Sequence, residues 1–159
     1  MSPNLNNSIQ ICYWNIHGIK SEIIQNKLLD PEFINKLNNS DIVALSELHT
    51  EEKELFLPGY KFKKHKIRRK THKGPKIGGG IAVFVKECIS DLVHVVPNTN
   101  ENSVWVKLKN KSPIGSDLFI GSYYISPSGK KDKFDTFNVL TEETKRFQGK
   151  VILSSPVNF

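Results

Sequence analysis

Short apolar segments rich in β-branched and aromatic residues recur along the chain of 159 residues and most restrict its possible folds. Their lengths and composition are typical of β-strands. They are residues 9–16, 41–46, 81–86, 103–109, 118–125 and 151–153. Two other stretches, 20–38 and 131–147, have apolar residues at helical spacing, and the first of them breaks at Asp30-Pro31. This order predicts a mixed α/β domain built in layers, with a hairpin between 103–109 and 118–125.

Composition sets the class of protein. Hydrophobic residues make up 38% of the chain and charged residues 25%, which suits a packed core and excludes a collagen-like or disordered chain. No apolar run approaches the ~18 residues that a membrane helix needs, so we expect no membrane partner. The polar start MSPNLNNS lacks the pattern of a signal peptide. We therefore predict a flexible tail at 1–8 and one domain at 9–159.

Two cysteines, Cys12 and Cys88, lie in apolar segments. We expect both to be packed thiols of a reduced, intracellular protein, with a disulfide or a reactive thiol as the alternative.

Positive charge is concentrated in one stretch of the chain. Residues 61–76 contain nine lysines and arginines and no acid, whereas the rest has 14 basic and 16 acidic residues. Such a stretch suits the phosphate backbone of nucleic acid, because each neutralised phosphate releases condensed counterions. The alternative is a solvated loop without a ligand. The side chains predicted to contact nucleic acid are Lys63, Lys64, Lys66, Arg68, Arg69, Lys70 and Lys73.

Three polar residues stand at the ends of apolar strands. Asn15 lies in WNIHG, Glu47 ends DIVALSE, and Tyr124 ends LFIGSYY. Binding residues collect at strand ends, where loops leave a rigid sheet. There a carboxylate can bind Mg²⁺, and an amide can orient that carboxylate or bind a phosphate oxygen. A phenol can donate a hydrogen bond to a phosphate oxygen. Each residue taken singly has an alternative interpretation. Asn15 also fits a capping residue, Glu47 an acid at the start of a helix, and Tyr124 a half-buried aromatic residue of a strand. The neighbouring His17 and His49 are expected to be surface or loop histidines.

Five motifs in order resemble the endonuclease/exonuclease/phosphatase superfamily from about Ile9 to the end of the chain. They are WNIHG, DIVALSE, GGGIAVFVK, VWVKL and YYISPSG. Within the superfamily, they are most similar to the endonuclease domain of LINE-type retrotransposons. The resemblance implies an α/β (α+β) fold, a four-layer sandwich of two mainly antiparallel β-sheets flanked by helices.

The resemblance also implies roles for the residues at the strand ends. Asn15 matches the asparagine that helps arrange the metal site and the scissile phosphate, and Glu47 matches the glutamate that binds the catalytic Mg²⁺ (or Mn²⁺). Tyr124 matches the tyrosine of a Tyr-x-x-Pro segment, here YISP, that contacts the phosphate. Tyr123 is one residue too far from Pro127 for this match.

The end of the chain departs from the family pattern. Where the family has Gly-Asp-Phe-Asn after a strand, this chain has SPVN, so Pro156 replaces the aspartate and only Asn158 matches. Proline supplies neither a carboxylate nor an N–H. The family's later motifs, with a second aspartate and an Asp-His pair, would follow Phe159. We therefore expect a C-terminally truncated domain that is inactive or incomplete as an enzyme.

The resemblance implies Mg²⁺-dependent hydrolysis of phosphodiesters, with DNA as the first expected partner and RNA as the second. It further implies a retrotransposon-derived protein whose intact parent carries a reverse transcriptase, in the nucleus rather than the cytoplasm. The main alternative is a non-catalytic nucleic-acid-binding module that uses residues 61–76. A phosphatase or lipid phosphodiesterase of the same superfamily is a further alternative.

Overall fold

Two four-stranded sheets form the body of the molecule. The computed structural model describes residues 8–67, 79–109, 116–124, 138, 141–142, 144–145, 147 and 150–154, the last five by their backbone alone. The first sheet comprises β1 (Ile11–Asn15), β2 (Ile42–Ser46), β3 (Tyr60–Lys66) and β4 (Ile81–Lys86). The second sheet comprises β5 (Val93–Val96), β6 (Ser103–Leu108), β7 (Leu118–Tyr123) and β8 (Lys150–Ser154).

The strands of each sheet are mainly antiparallel. The first sheet has the order β1-β2-β4-β3, in which only β1 and β2 are parallel. The second has the order β5-β6-β7-β8, in which only β7 and β8 are parallel. The pairing of Ser103 with Tyr123 confirms the predicted hairpin. This arrangement confirms the predicted fold class of two mainly antiparallel sheets.

One of the two large hydrophobic cores lies between the sheets, and the other lies under α1 (Pro31–Leu37) on the outer face of the first sheet. Side chains alternate along a strand, so the central strands point one face to the opposite sheet and the other face outward. In β6, Val104 and Val106 face the first sheet, whereas Trp105 lies on the outer face. The buried residues between the sheets are Tyr13, Ile42, Ala44, Ile81, Val83, Val85, Ile89, Val93, Val104, Val106, Ile120 and Tyr124.

Helices cover the outer face of the first sheet. Helix α1 (Pro31–Leu37) buries Phe33 and Leu37, and it begins where the Asp30 carboxylate accepts the N–H of Phe33 at 2.9 Å. On the outer face of the second sheet, Phe147 packs on Trp105 and Phe119. The helical residues at 138, 141–142 and 144–145 agree with the helix predicted at 131–147. Within the described residues, no helix is long and apolar enough to cross a membrane.

The prediction of a helix is wrong for the first half of residues 20–38. A turn closes at Ser21 and Ile24, because Ser21 N–H donates to the Ile24 carbonyl at 2.9 Å and Ile24 N–H donates to the Ser21 hydroxyl at 2.9 Å. Ile23 at its tip is 94% exposed, so its apolar spacing does not mark a buried face. A 3₁₀ turn at Lys27–Leu29 then precedes α1.

Two strands and one thiol differ from the predictions. Neither β3 nor β5 was predicted as a strand, and β3 overlaps the start of the basic stretch. Strand β3 lies at the edge of its sheet, where lysines discourage pairing with other chains. Cys88 is exposed in a 3₁₀ turn at Glu87–Leu92, so the prediction of a packed thiol is wrong there. Cys12 is partly buried against the core under α1, and neither cysteine forms a disulfide.

Candidate active site

The predicted site residues meet at one edge of the two sheets. Asn15 is the last residue of β1, and Glu47 directly follows β2, which runs parallel to β1. Tyr124 directly follows β7 in the second sheet. The Tyr124 hydroxyl donates to Oε1 of Glu47 at 2.5 Å, so a hydrogen bond at the site joins the two sheets.

The Glu47 carboxylate is surrounded by donors. Nδ1 of His17 lies 2.9 Å from Oε2 of Glu47, and Nε2 of His49 lies 3.9 Å from the same oxygen. The Glu47 side chain is 16% exposed, whereas those of His17 and His49 are 61% and 40% exposed. The two histidines therefore lie at the surface, as expected, and they also contact the carboxylate, a contact that their positions in the sequence did not predict.

Hydrogen bonds keep Glu47 ionised. Burial by itself raises the pKa of the Glu47 carboxyl group, but hydrogen bonds from Tyr124, Asn15 and His17 favour the charged form more strongly. The net result is a pKa below the ordinary value for glutamate. The site therefore presents a carboxylate at neutral pH.

Three residues around this carboxylate have left-handed backbone conformations. The φ angles are 50° at His17, 55° at Glu47 and 53° at His49, a region that non-glycine residues seldom occupy. Main-chain hydrogen bonds hold Glu47 on both sides: its N–H donates to the Gly80 carbonyl at 3.0 Å, and its carbonyl accepts from Gly18 N–H at 2.6 Å. Such strained conformations concentrate at functional sites, where the surrounding structure compensates their cost.

The residues present fit a hard divalent cation. Mg²⁺ binds through one or two carboxylates and keeps several waters, and each Glu47 oxygen retains lone pairs beside its hydrogen bond. Among the described residues, no group of three or more His, Cys, Asp and Glu side chains is placed to hold a metal ion. Asn15 is buried, and its Oδ1 accepts from His17 N–H at 3.1 Å. Glu47 would therefore be the charged ligand and Asn15 its support.

A polar cavity of about 200 Å³ lies beside Glu47. Its walls come from the loop after β1 and the loop after β2, and they include His17 and His49, which contact the Glu47 carboxylate. Lys20 and the two histidines give it donors, and Glu52 adds one carboxylate. The lining residues are His17, Gly18, Ile19, Lys20, Asn26, His49, Thr50 and Glu52.

His65 supports the backbone that carries Glu47. It is 8% exposed, its Nδ1–H donates to the Glu52 carbonyl at 2.6 Å, and its Nε2 has no hydrogen-bond partner among the described residues. A Cβ on Gly80 would lie 3.1 Å from that Nε2, so the imidazole packs directly on Gly80. The Gly80 carbonyl accepts the N–H of Glu47, which links His65 to the site.

The stability of the protein is expected to fall as the pH drops below about 6.5. Burial lowers the pKa of His65, and its hydrogen bond to Glu52 only partly offsets this. The unfolded chain therefore binds a proton more readily than the folded chain, and the free energy of unfolding falls by at most about 1.4 kcal/mol per pH unit. Denaturant unfolding at pH 7.5 and 5.5 measures this. The fall should shrink in His65→Gln and persist in His94→Gln, a control at an exposed position.

Two lysines of the basic stretch have partners within the protein. Lys63 donates to the Ser90 carbonyl at 2.9 Å, and burial lowers its pKa. Lys66 donates to the Asn100 carbonyl at 2.7 Å and also to the Asn98 side chain. Lys63 therefore connects β3 to the 3₁₀ turn at Glu87–Leu92, and Lys66 connects it to the loop between β5 and β6, whereas Lys64 is exposed. The remaining predicted contacts lie outside the described residues: Arg68, Arg69, Lys70, Lys73 and the site residue Asn158.

Comparisons with known proteins agree on the fold. The sequence matches no protein-family model and no curated protein. Solved structures do match: TDP2 from D. rerio complexed with a single-strand DNA product has a TM-score of 0.52 and 13% identity over 92% of this chain. Truncated TDP2 from Caenorhabditis elegans has a TM-score of 0.51 and 16% identity over 92%. An endonuclease/exonuclease/phosphatase from Beutenbergia cavernae has a TM-score of 0.50 and 16% identity over 84%.

The chain is shorter than these structures. It spans 58% of the D. rerio chain, 61% of the C. elegans chain and 43% of the B. cavernae chain. The chain therefore has the fold of the endonuclease/exonuclease/phosphatase superfamily.

Proposed function

We propose that this site hydrolyses phosphodiester bonds in nucleic acid with a divalent cation, Mg²⁺ or Mn²⁺. The observation that carries the proposal is the ionised Glu47 carboxylate, which hydrogen bonds from Tyr124, Asn15 and His17 hold at the edge between the two sheets. A strained backbone, a depressed carboxyl pKa and an adjacent polar cavity coincide there. Such a combination is typical of a reactive site rather than of a structural ion pair.

Each residue of the site has a role in this proposal. Glu47 is the ligand of the cation, which when bound neutralises charge on the phosphate. Asn15 keeps the carboxylate oriented. Tyr124 has a single hydroxyl proton, which donates to Glu47 in this structure. To contact a phosphate oxygen, as the family resemblance implies, that proton must turn from the carboxylate to the substrate.

The polar cavity suits the chain of phosphates next to the scissile one. Lys20, His17 and His49 line it and lie on the same side as Glu47. Exposed Lys64 adds positive charge on β3. Cationic and neutral donors of this kind contact nucleic-acid backbones without reading the base sequence.

The identity of the substrate rests on two kinds of support. The similar D. rerio TDP2 structure contains a single-strand DNA product, which favours DNA. The order of the five sequence motifs supports a LINE-type retrotransposon origin, a parent polyprotein with a reverse transcriptase, and residence in the nucleus. These last three parts of the proposal depend on the sequence resemblance alone.

We expect turnover by this chain to be slow or absent. Pro156 stands where the resemblance requires an aspartate, and proline cannot position or activate a water molecule. Loss of general acid–base groups typically lowers the rate by ~10²–10⁴-fold. The proposal therefore predicts metal binding at Glu47 and, at high protein concentration, at most slow cleavage.

Nicking of supercoiled plasmid tests the hydrolytic part. The purified chain is incubated with plasmid in Mg²⁺, in Mn²⁺ and in EDTA, with Glu47→Gln alongside. Any nicking is expected to be slow and to need both the metal and Glu47. Equal DNA binding with and without metal, accompanied by no nicking at any protein concentration, would contradict hydrolysis and favour a non-catalytic nucleic-acid-binding module.

A further inference from the structure

The site depends on how the two sheets are placed relative to each other. Glu47 belongs to the first sheet and Tyr124 to the second, and their contact is 2.5 Å long. A hydrogen bond of this kind weakens steeply when the donor and acceptor separate or tilt. Something close to Tyr124 must therefore fix the sheets at this edge.

The peptide group before Tyr124 is held at both of its polar atoms. The Tyr13 hydroxyl, on β1 of the first sheet, donates to the Tyr123 carbonyl at 2.7 Å. The N–H of Tyr124 donates at 2.9 Å to the carbonyl of Asn102, the residue directly before β6 of the second sheet. Because a peptide group is planar, these two hydrogen bonds together fix its orientation and the start of the Tyr124 side chain.

Tyr13 is well suited to act as a permanent donor. It is 6% exposed and packs in the core between the sheets together with Tyr124. Burial raises the pKa of its hydroxyl group, so the proton that Tyr13 donates remains in place across the physiological range. Loss of this donor would leave the Tyr123 carbonyl without a partner that reaches it from the first sheet.

We propose that Tyr13 is a positioning residue of the site: its hydrogen bond to the Tyr123 carbonyl sets the orientation of Tyr124 toward Glu47. The contact itself follows from the geometry, and its consequence for metal binding rests on the function proposed above. Tyr13 acts through Tyr124, because its hydroxyl donates to the Tyr123 carbonyl and not to the Glu47 carboxylate.

Proton NMR of the Tyr124–Glu47 hydrogen bond tests this proposal without any need for activity. The Tyr124 hydroxyl proton is held in a hydrogen bond to a carboxylate, so it should resonate downfield of the proton of an unbonded phenol. Tyr124→Phe assigns the resonance by removing it. In Tyr13→Phe the resonance should move upfield or disappear, and the Kd for Mn²⁺ should rise by about tenfold.

Tyr60→Phe is the matched control. The Tyr60 hydroxyl also donates to main-chain carbonyls, those of Leu37 and Ser40. It lies under α1, however, on the other side of the first sheet. Its removal should lower stability and leave both the resonance and the Mn²⁺ affinity unchanged. A purely structural role for Tyr13 predicts that the two variants behave alike.

The spectrum decides the proposal in each case. An unchanged downfield resonance in folded Tyr13→Phe overturns it, as does the absence of that resonance from the unaltered chain. If Tyr13→Phe does not fold, 4-aminophenylalanine at position 13 provides a variant with a weaker donor. In that variant, a Tyr124 hydroxyl resonance identical to that of the unaltered chain overturns the proposal. Failure to bind Mn²⁺ in all variants would contradict the proposed function and leave the spectroscopic result intact.

Discussion

Glu47→Gln is expected to raise the Kd for Mn²⁺ by about 100-fold, which corresponds to ~2.8 kcal/mol of binding free energy. The amide keeps the size and shape of the carboxylate and can still accept a hydrogen bond from Tyr124. It lacks the negative charge that a hard divalent cation requires. Calorimetric titration, or the electron paramagnetic resonance signal of unbound Mn²⁺, measures the change directly.

Glu54→Gln is the control for this experiment. Glu54 lies on the loop that follows Glu47 and is exposed, so its replacement removes the same charge from the same part of the surface. The Mn²⁺ affinity of Glu54→Gln should equal that of the unaltered chain. Equal weakening in both variants would show that general negative charge, and not a site at Glu47, attracts the cation.

The gathering of Asn15, Glu47 and Tyr124 could be predicted because each residue ends an apolar strand. Apolar segments are visible in the sequence, and polar residues at their ends lie near one another when the strands pack in two sheets. The strand-end argument does not depend on details of the loops. The apolar segments by themselves predict only a mixed α/β domain in layers, and the fold class of two mainly antiparallel sheets came from the resemblance of the five motifs.

Contacts that depend on loops and on sheet-to-sheet placement could not be predicted. His17 and His49 reach Glu47 only because both adopt positive φ angles, which nothing in their residue types requires. The hydrogen bond from Tyr13 to Tyr123 joins residues 110 positions apart in different sheets. A sequence shows neither the angle between two sheets nor their separation.

The lysines of β3 illustrate a different limit. Lysine-rich segments lack the apolar pattern of a strand, so β3 was read only as a basic stretch. In the structure, Lys63 and Lys66 donate to main-chain carbonyls across the molecule. Charge can be counted from a sequence, but the partner of each charge depends on tertiary structure. Lys64 and the residues beyond 67 keep the prediction of nucleic-acid contact open to test.

Gly121→Ala is expected to lower the free energy of unfolding by about 3 kcal/mol. A Cβ at position 121 would lie 2.6–2.7 Å from three ring atoms of Trp105, closer than any carbon contact allows. Trp105 is completely buried, and its ring packs against Phe147 at 4.8 Å between centroids. The indole therefore cannot move aside without loss of packing on the outer face of the second sheet.

Gly59→Ala is a control in which the backbone conformation, and not a lack of space, disfavours alanine. Gly59 has a φ of +83° but nothing lies within 4 Å of its added Cβ, so alanine there costs only the ~1–2 kcal/mol of a left-handed conformation. At Gly121 the backbone is ordinary and the space is missing. Denaturant unfolding of both variants should therefore show the larger loss at Gly121, without a change in the m-value.

A double-mutant cycle with Trp105→Phe separates crowding from other effects of the added methyl group. Phenylalanine lacks the outer ring atoms of the indole that the Cβ would strike, so Gly121→Ala should cost less than about 1 kcal/mol in that background. The coupling of roughly 2 kcal/mol would be typical of residues in direct contact. An equal cost in both backgrounds would contradict the steric explanation, because the clash would then not involve Trp105. Since β6 and β7 carry these two residues at paired positions, the result also tests the register that places Tyr124 at the site.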